Sequence, residues 1–175
     1  ESTPRPFRAW LDALPSTANA ADVALARGLF EQIQTLQRVS PPAATPAAAE
    51  PVANDPNERI PALTNELSVV AARLMPASGD PASSPPVYGS LSHGFGSVAT
   101  VPTMTPRFAP GSEPGGGAVG GLWDDLALRG PSASNPYYVR GHLVNHHLGG
   151  SGETWANLTP PTQRANNRGG AALLR

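Results

Sequence analysis

Apolar residues in the first half of the chain recur with the period of a helix, whereas those in the second half alternate or sit in short runs between glycines and prolines. From Ala18 to Arg38, the positions Val23, Ala26, Phe30, Ile33 and Leu36 fall on one face, with Leu25 and Leu29 beside it. This spacing predicts an amphipathic helix, and Pro15-Ser16-Thr17 offers capping chemistry in front of it. Residues 1–14, with Pro4, Pro6, Phe7 and Trp10, read as an irregular lead-in. A second helix is predicted from Asn57 to Met75, where Pro61 is tolerable only in the first turn. Its residues Ile60, Leu63, Leu67, Val70 and Leu74 advance by alternating threes and fours. That makes a seam able to pack on the first helix, on the C-terminal part, or on a partner. Between the helices a Pro/Ala-rich stretch, about 40–56, reads as an extended linker.

After a loop from Pro76 to Pro86 the pattern turns to β. Val87 to Leu91 and Phe95 to Thr103 read as a strand and its return, with Ser92-His93-Gly94 as the turn. Phe108 to Gly121 reads as a flexible surface loop, and Leu122-Trp123-Asp124-Asp125-Leu126 as one helical turn anchored by Trp123. Tyr137 to Asn145 is entered by aromatic and β-branched residues and roughly alternates, which predicts a strand. Arg140, His142 and Val144 would then share a face. Gln163 to Asn167 reads as the opening of a helix with amides on its first turns. The expected fold class is α+β: a helical N-terminal region over 1–86, and an 87–175 domain with a small antiparallel sheet.

Composition narrows the chemistry. With 21 Pro and 18 Gly among 175 residues, a good part of the chain must be loop. There is no cysteine, so disulfides and thiolate metal sites are excluded, and the redox compartment stays open. No apolar run approaches the ~20 residues that span a bilayer, and no basic-then-apolar leader opens the chain. The expectation is a soluble protein with no membrane partner. Net charge is −1, but Arg129, Arg140, Arg164, Arg168 and Arg175 face Glu153 alone from residue 126 onward. The last third is therefore the part suited to phosphate.

A histidine on a strand facing an asparagine on a following helix is the layout of a ββα-metal phosphodiesterase site. Such a site needs one base for water and one divalent cation with few protein ligands. Mg²⁺ keeps most of its waters and accepts a single carboxamide. In that layout His142 is the general base and Asn166 the metal ligand, with Asn167 replacing it if the helix register shifts by one. Asn157 positions the base or a metal water, and Arg140 clamps phosphate through its planar fork. Read alone, His142 is a hydrogen-bonded structural histidine; its order with Asn157 and Asn166 points to a site. His146 and His147 invite a metal-ligand reading, but as neighbours on a strand they would point to opposite faces, one able to approach the cleft and the other solvated. His93 reads as exposed. Gly149, Gly150 and Gly152 fit a phosphate cradle or a tight turn, and Trp155 fits core or base stacking.

Arg140-Gly141-His142 resembles the Arg-Gly-His core of the DNA/RNA non-specific endonuclease family. Asn157-Leu158-Thr159-Pro160 resembles its Asn-x-x-Pro segment, and the step from Asn157 to Asn166 matches the separation of its two asparagines. Val139 stands where that family usually has Asp, and Pro161 where it usually has Gln. Over Val87 to Asn167 the chain also resembles a toxin-like domain of effectors associated with extracellular contractile injection systems and of polymorphic toxins. The carrying segments are Tyr88-Gly89-Ser90-Leu91, Gly94-Phe95-Gly96-Ser97, Leu122-Trp123-Asp124-Asp125 and Leu148-Gly149-Gly150-Ser151-Gly152. The resemblance implies a non-specific, Mg²⁺- or Mn²⁺-dependent endonuclease acting on DNA, with RNA as a second substrate. It implies a bacterial cytoplasmic product without a signal peptide, injected as effector cargo. The N-terminal helices would meet an immunity protein or an injection-system component. The alternative it leaves is a catalytically inactive nuclease-fold cargo or structural module.

Overall fold

The computed structural model describes residues 7–39, 55–76, 79–115, 122–132 and 137–166. The fold is α+β. The Pro/Ala linker lies almost wholly outside the described residues, as does Asn167.

Helix α1 (Phe7–Asp12) occupies the stretch expected to be irregular. Phe7 and Leu11, one turn apart, are both buried, and the Phe7 ring packs 5.5 Å from that of Phe30. The 3.6-residue spacing thus outweighs the prolines that precede it. Helix α2 (Ala20–Val39) is capped by Asn19 rather than by Ser16 or Thr17: Asn19 Oδ1 accepts from the N–H groups of Ala21 (2.9 Å) and Asp22 (3.2 Å). Helix α3 (Pro56–Leu74) begins after Asp55, whose carboxylate accepts from Asn57 N at 2.9 Å.

The two long helices are antiparallel, since Asp22 in the first turn of α2 binds Arg73 in the last turn of α3. Ala26, Leu29 and Ile33 join Ile60, Leu67, Val70 and Leu74 in the main core. The expected seam therefore faces the protein's own interior. Pro61 lies beyond the first turn of α3, so the helix cannot use the Asn57 carbonyl four residues back. That oxygen instead accepts from Leu91 N at 3.0 Å, which docks the β region on the helix.

The sheet elements are shorter than expected. β1 (Val87–Tyr88) and β2 (Ala99–Thr100) pair antiparallel, Val87 with Thr100 and Tyr88 with Ala99. Ser92 bridges Phe95 across a two-residue turn in which His93 (φ 54°) and Gly94 (φ 81°) are both left-handed, the turn whose twist suits a hairpin. Asn65 acts as a further strand partner: its amide donates to Tyr88 O (3.0 Å) and accepts from Tyr88 N (2.7 Å). Helix α4 (Leu122–Ala127) sets Trp123 5.7 Å from Trp155, which also packs edge-on to Phe95 at 5.0 Å. Trp155, 4 % exposed, is core and offers no stacking face.

β3 (Gly141–His142) pairs antiparallel with β4 (Leu158–Thr159), Gly141 opposite Thr159 and His142 opposite Leu158. The strand expected over Tyr137 to Asn145 is legible as a looser ladder. Val139 N donates to Pro161 O, Gln163 N to Tyr137 O, and Leu143 N to Asn157 O. It ends before Asn145, whose side chain caps a 3₁₀ turn, His146–Leu148, closed by left-handed Gly149 (φ 88°).

The helices are built into this region. Gln37, 1 % exposed, donates to Glu153 O (3.0 Å) and accepts from Trp155 N (2.8 Å), while Thr64 Oγ1 meets Thr154 Oγ1 at 3.1 Å. No helix among the described residues is long and apolar enough to cross a membrane.

Candidate functional site

Two backbone segments meet beneath β3, and glycine is what lets them meet. A Cβ at Gly111 would stand 2.6 Å from Gly150 O, and one at Gly149 2.6 Å from Ala109 O. Ser112 N donates to Gly150 O (3.2 Å), Gly115 N to Gly152 O (3.0 Å), and Gly152 N to Ser112 Oγ (3.0 Å). The described part of the expected flexible loop, residues 108–115, is therefore fastened along 149–153. The glycines of 149–152 serve this approach of two backbones.

His142 and Arg140, two apart on one strand, both reach segment 112–115, as their shared face requires. His142 Nε2 lies 2.8 Å from Ser112 O, and Arg140 Nη1 donates to Gly115 O at 2.6 Å. A carbonyl can only accept, so Nε2 carries the proton and the acceptor nitrogen of the ring is Nδ1. The ring is half-buried. Burial pulls its proton affinity below the ordinary histidine value; the Ser112 carbonyl opposes this, His146 adds to it and Glu113 counters it. The neutral ring is thus the form favoured near pH 7. Arg140 sits over Trp123, 5.4 Å from the ring centroid, and its burial lowers a pKa that remains far above neutrality.

Asn157 is wholly buried. Its Oδ1 accepts from Val144 N (2.8 Å), and its Nδ2 donates to Val144 O (3.0 Å) and Ser151 O (2.9 Å). Those bonds close the loop that leaves His142 and fix where the strand ends. Asn166 stands on a helical turn over 163–166 and is exposed. Its Oδ1 lies 3.4 Å from where a Cβ on Gly141 would stand. Successive strand residues project to opposite faces, so Asn166 reaches β3 from the Gly141 side while the His142 ring faces Ser112. The structure brings Arg140 and His142 together, sets Asn157 behind them, and leaves Asn166 across the ribbon.

Two participants went unseen in the sequence, Ser112 and Glu113, and a third, His146, was singled out there but on a strand rather than a turn. His146 leaves the strand on the 3₁₀ turn, so it does not alternate with His147. Its ring centroid is 5.4 Å from that of His142, and its Nε2 pairs with Glu113 Oε1 at 2.9 Å. For Ser112 and Glu113 the sequence signal was the glycine richness of both 111–117 and 149–152, which marks backbones that approach closely. Among the described residues, no group of three His, Asp or Glu side chains could hold a metal ion.

No family model, no curated protein and no solved structure matches this chain.

Proposed function

We propose that the chain is a non-specific nuclease effector that hydrolyses phosphodiester bonds of DNA, with RNA as a second substrate. The observation that carries this reading is the His142–Ser112 hydrogen bond. It fixes the tautomer that presents Nδ1 as a base, on a ring that burial keeps neutral. His142 Nδ1 takes the proton of an attacking water as its oxygen bonds to phosphorus and the ester bond to the leaving oxygen breaks. Arg140, braced by Gly115 O and Trp123, supplies the guanidinium for the phosphate oxygens.

Asn166 would hold the Mg²⁺ or Mn²⁺ that the resemblance implies. An exposed carboxamide oxygen suits a hard cation in kind, with water and substrate oxygens completing its shell. When bound, such an ion supplies charge stabilisation at the phosphate and leaving oxygen. A buried seam between α2 and α3 leaves only outer helical faces for an immunity protein or an injection-system component. Delivery as injected cargo from a bacterial cytoplasm rests on the resemblance alone.

The placement of Asn166 across the ribbon from His142 favours a second reading, an inactive nuclease-fold cargo or interaction module. Incubation of the full chain with supercoiled DNA and with RNA, with and without EDTA, separates the two. Cleavage that EDTA stops and His142→Ala abolishes supports the nuclease. Cleavage retained in His142→Ala refutes the base assignment, and no cleavage by the unaltered chain favours the module.

A further inference from the structure

We propose that Glu113 and His146, hydrogen-bonded to each other beside the His142 ring, together tune when His142 takes up a proton, which makes His146 a positioning residue of the candidate site. The proposal deepens the nuclease reading and takes its catalytic meaning from it, but its physical content can be measured without cleavage.

The geometry supplies the argument. Glu113 can only accept when ionised, so His146 Nε2 donates across the 2.9 Å contact. The His146 side chain is 12 % exposed and that of Glu113 68 %, so a nearly buried ring is tied to a solvated carboxylate. The backbone turn that carries the ring is held in place. Asn145 Oδ1 holds His147 N at 2.9 Å, Gly149 N holds His146 O at 3.2 Å, and a Cβ on Gly111 would collide with the His146 backbone. From this fixed turn His146 faces His142 at 5.4 Å between centroids.

Among the described residues, other charged or titratable groups in this region are His147, Arg140 and Glu153. His147 lies 3.9 Å from His146 on the same turn. Arg140, just before β3, is directed at Gly115 O. Glu153, whose Cγ lies 3.7 Å from where a Gly115 Cβ would be, accepts from Phe7 N. His146, when protonated, and the Glu113 carboxylate bear on His142 in opposite senses, the first lowering and the second raising its proton affinity. A protonated His146 resists a second proton on the base, and the Glu113 carboxylate opposes that effect. The base thereby stays neutral at a lower pH than it would beside Glu113 alone.

The test is an NMR titration of the His142 ring in the full chain, with His146→Gln, Glu113→Gln and the double variant. Glutamine at 146 keeps a donor for Glu113 but removes the positive charge. The His142 midpoint is expected to rise by about 0.5 pH unit in His146→Gln and to fall by a similar amount in Glu113→Gln. In the double variant, which removes both opposing groups, the midpoint should lie between those of the two single variants. Shifts of the same sign in both single variants, or no shift in either, overturn the proposal. Should His146→Gln fail to fold, the exposed Glu113→Gln decides alone, and an unmoved or raised midpoint there is fatal. In the cleavage assay the acid limb should move with the midpoint. If the midpoints shift as stated and neither the unaltered chain nor any variant cleaves, the tuning pair stands and the nuclease reading falls.

Discussion

Asn157→Ala separates a residue that builds the site from one that reacts in it. The carboxamide is fully buried and makes three hydrogen bonds to backbone groups. Truncation orphans the N–H and C=O of Val144, which is 7 % exposed, while the half-buried Ser151 carbonyl can find water. Each buried group left without a partner costs about 1–3 kcal/mol, so the two at Val144 come to about 2–6 kcal/mol. At about 2–4 °C per kcal/mol for a chain of this size, the melting temperature should drop by roughly 4–24 °C. Denaturant unfolding of the full chain, followed by circular dichroism, reads the free energy directly. Asn157→Asp should be no better, because it keeps the acceptor for Val144 N but turns a carboxylate toward two carbonyls. A loss under about 1 kcal/mol for Asn157→Ala would show that these bonds contribute little. Any loss of cleavage would then have to be assigned to chemistry.

Gln37→Leu should destabilise the chain by about 2–3 kcal/mol, measured the same way, because Trp155 N–H loses its buried acceptor while Glu153 O keeps Gln34. Gly150→Ala should cost about 3 kcal/mol or more, since the added methyl falls on the Val144 carbonyl and 2.7 Å from Asn157 Nδ2; an unchanged denaturation midpoint would contradict this packing. Glu153 is half-buried and accepts from Phe7 N, and burial raises its carboxyl above the ordinary range. The folded state therefore binds this proton more tightly than the unfolded one. Its contribution is fully present below the unfolded pKa and is lost as pH rises through the raised folded value. Glu153→Gln should flatten that decline in a stability-against-pH series, and an identical decline in the variant would remove Glu153 as its source.

What the sequence determined by itself is what local chemistry controls. Helical periodicity marked α2 and α3, because a stripe of apolar side chains must be buried wherever the helix docks. His93-Gly94 marked the hairpin, because a tight turn demands left-handed backbone at those positions. Alternation placed Arg140 and His142 on one face of a strand. Local reading failed where two local signals competed or where a partner lay far along the chain. At Phe7–Asp12 the prolines masked a spacing that Phe30 rewards with burial. At Pro61 the helix survived because Leu91 supplies the hydrogen bond that proline leaves open.

Only the tertiary structure decided what surrounds His142. Its carbonyl partner lies 30 residues away, in a segment with no periodicity of its own, and fixes the tautomer through one oxygen. His146 joined the site because the strand stops at Asn145 and turns, a stop set by the buried amide of Asn157. Asn166 shares the sequence spacing of a metal ligand, yet its side of the ribbon follows from the path between β4 and the helical turn. Spacing along a chain sets which residues can meet, but the face on which they meet is a property of packing.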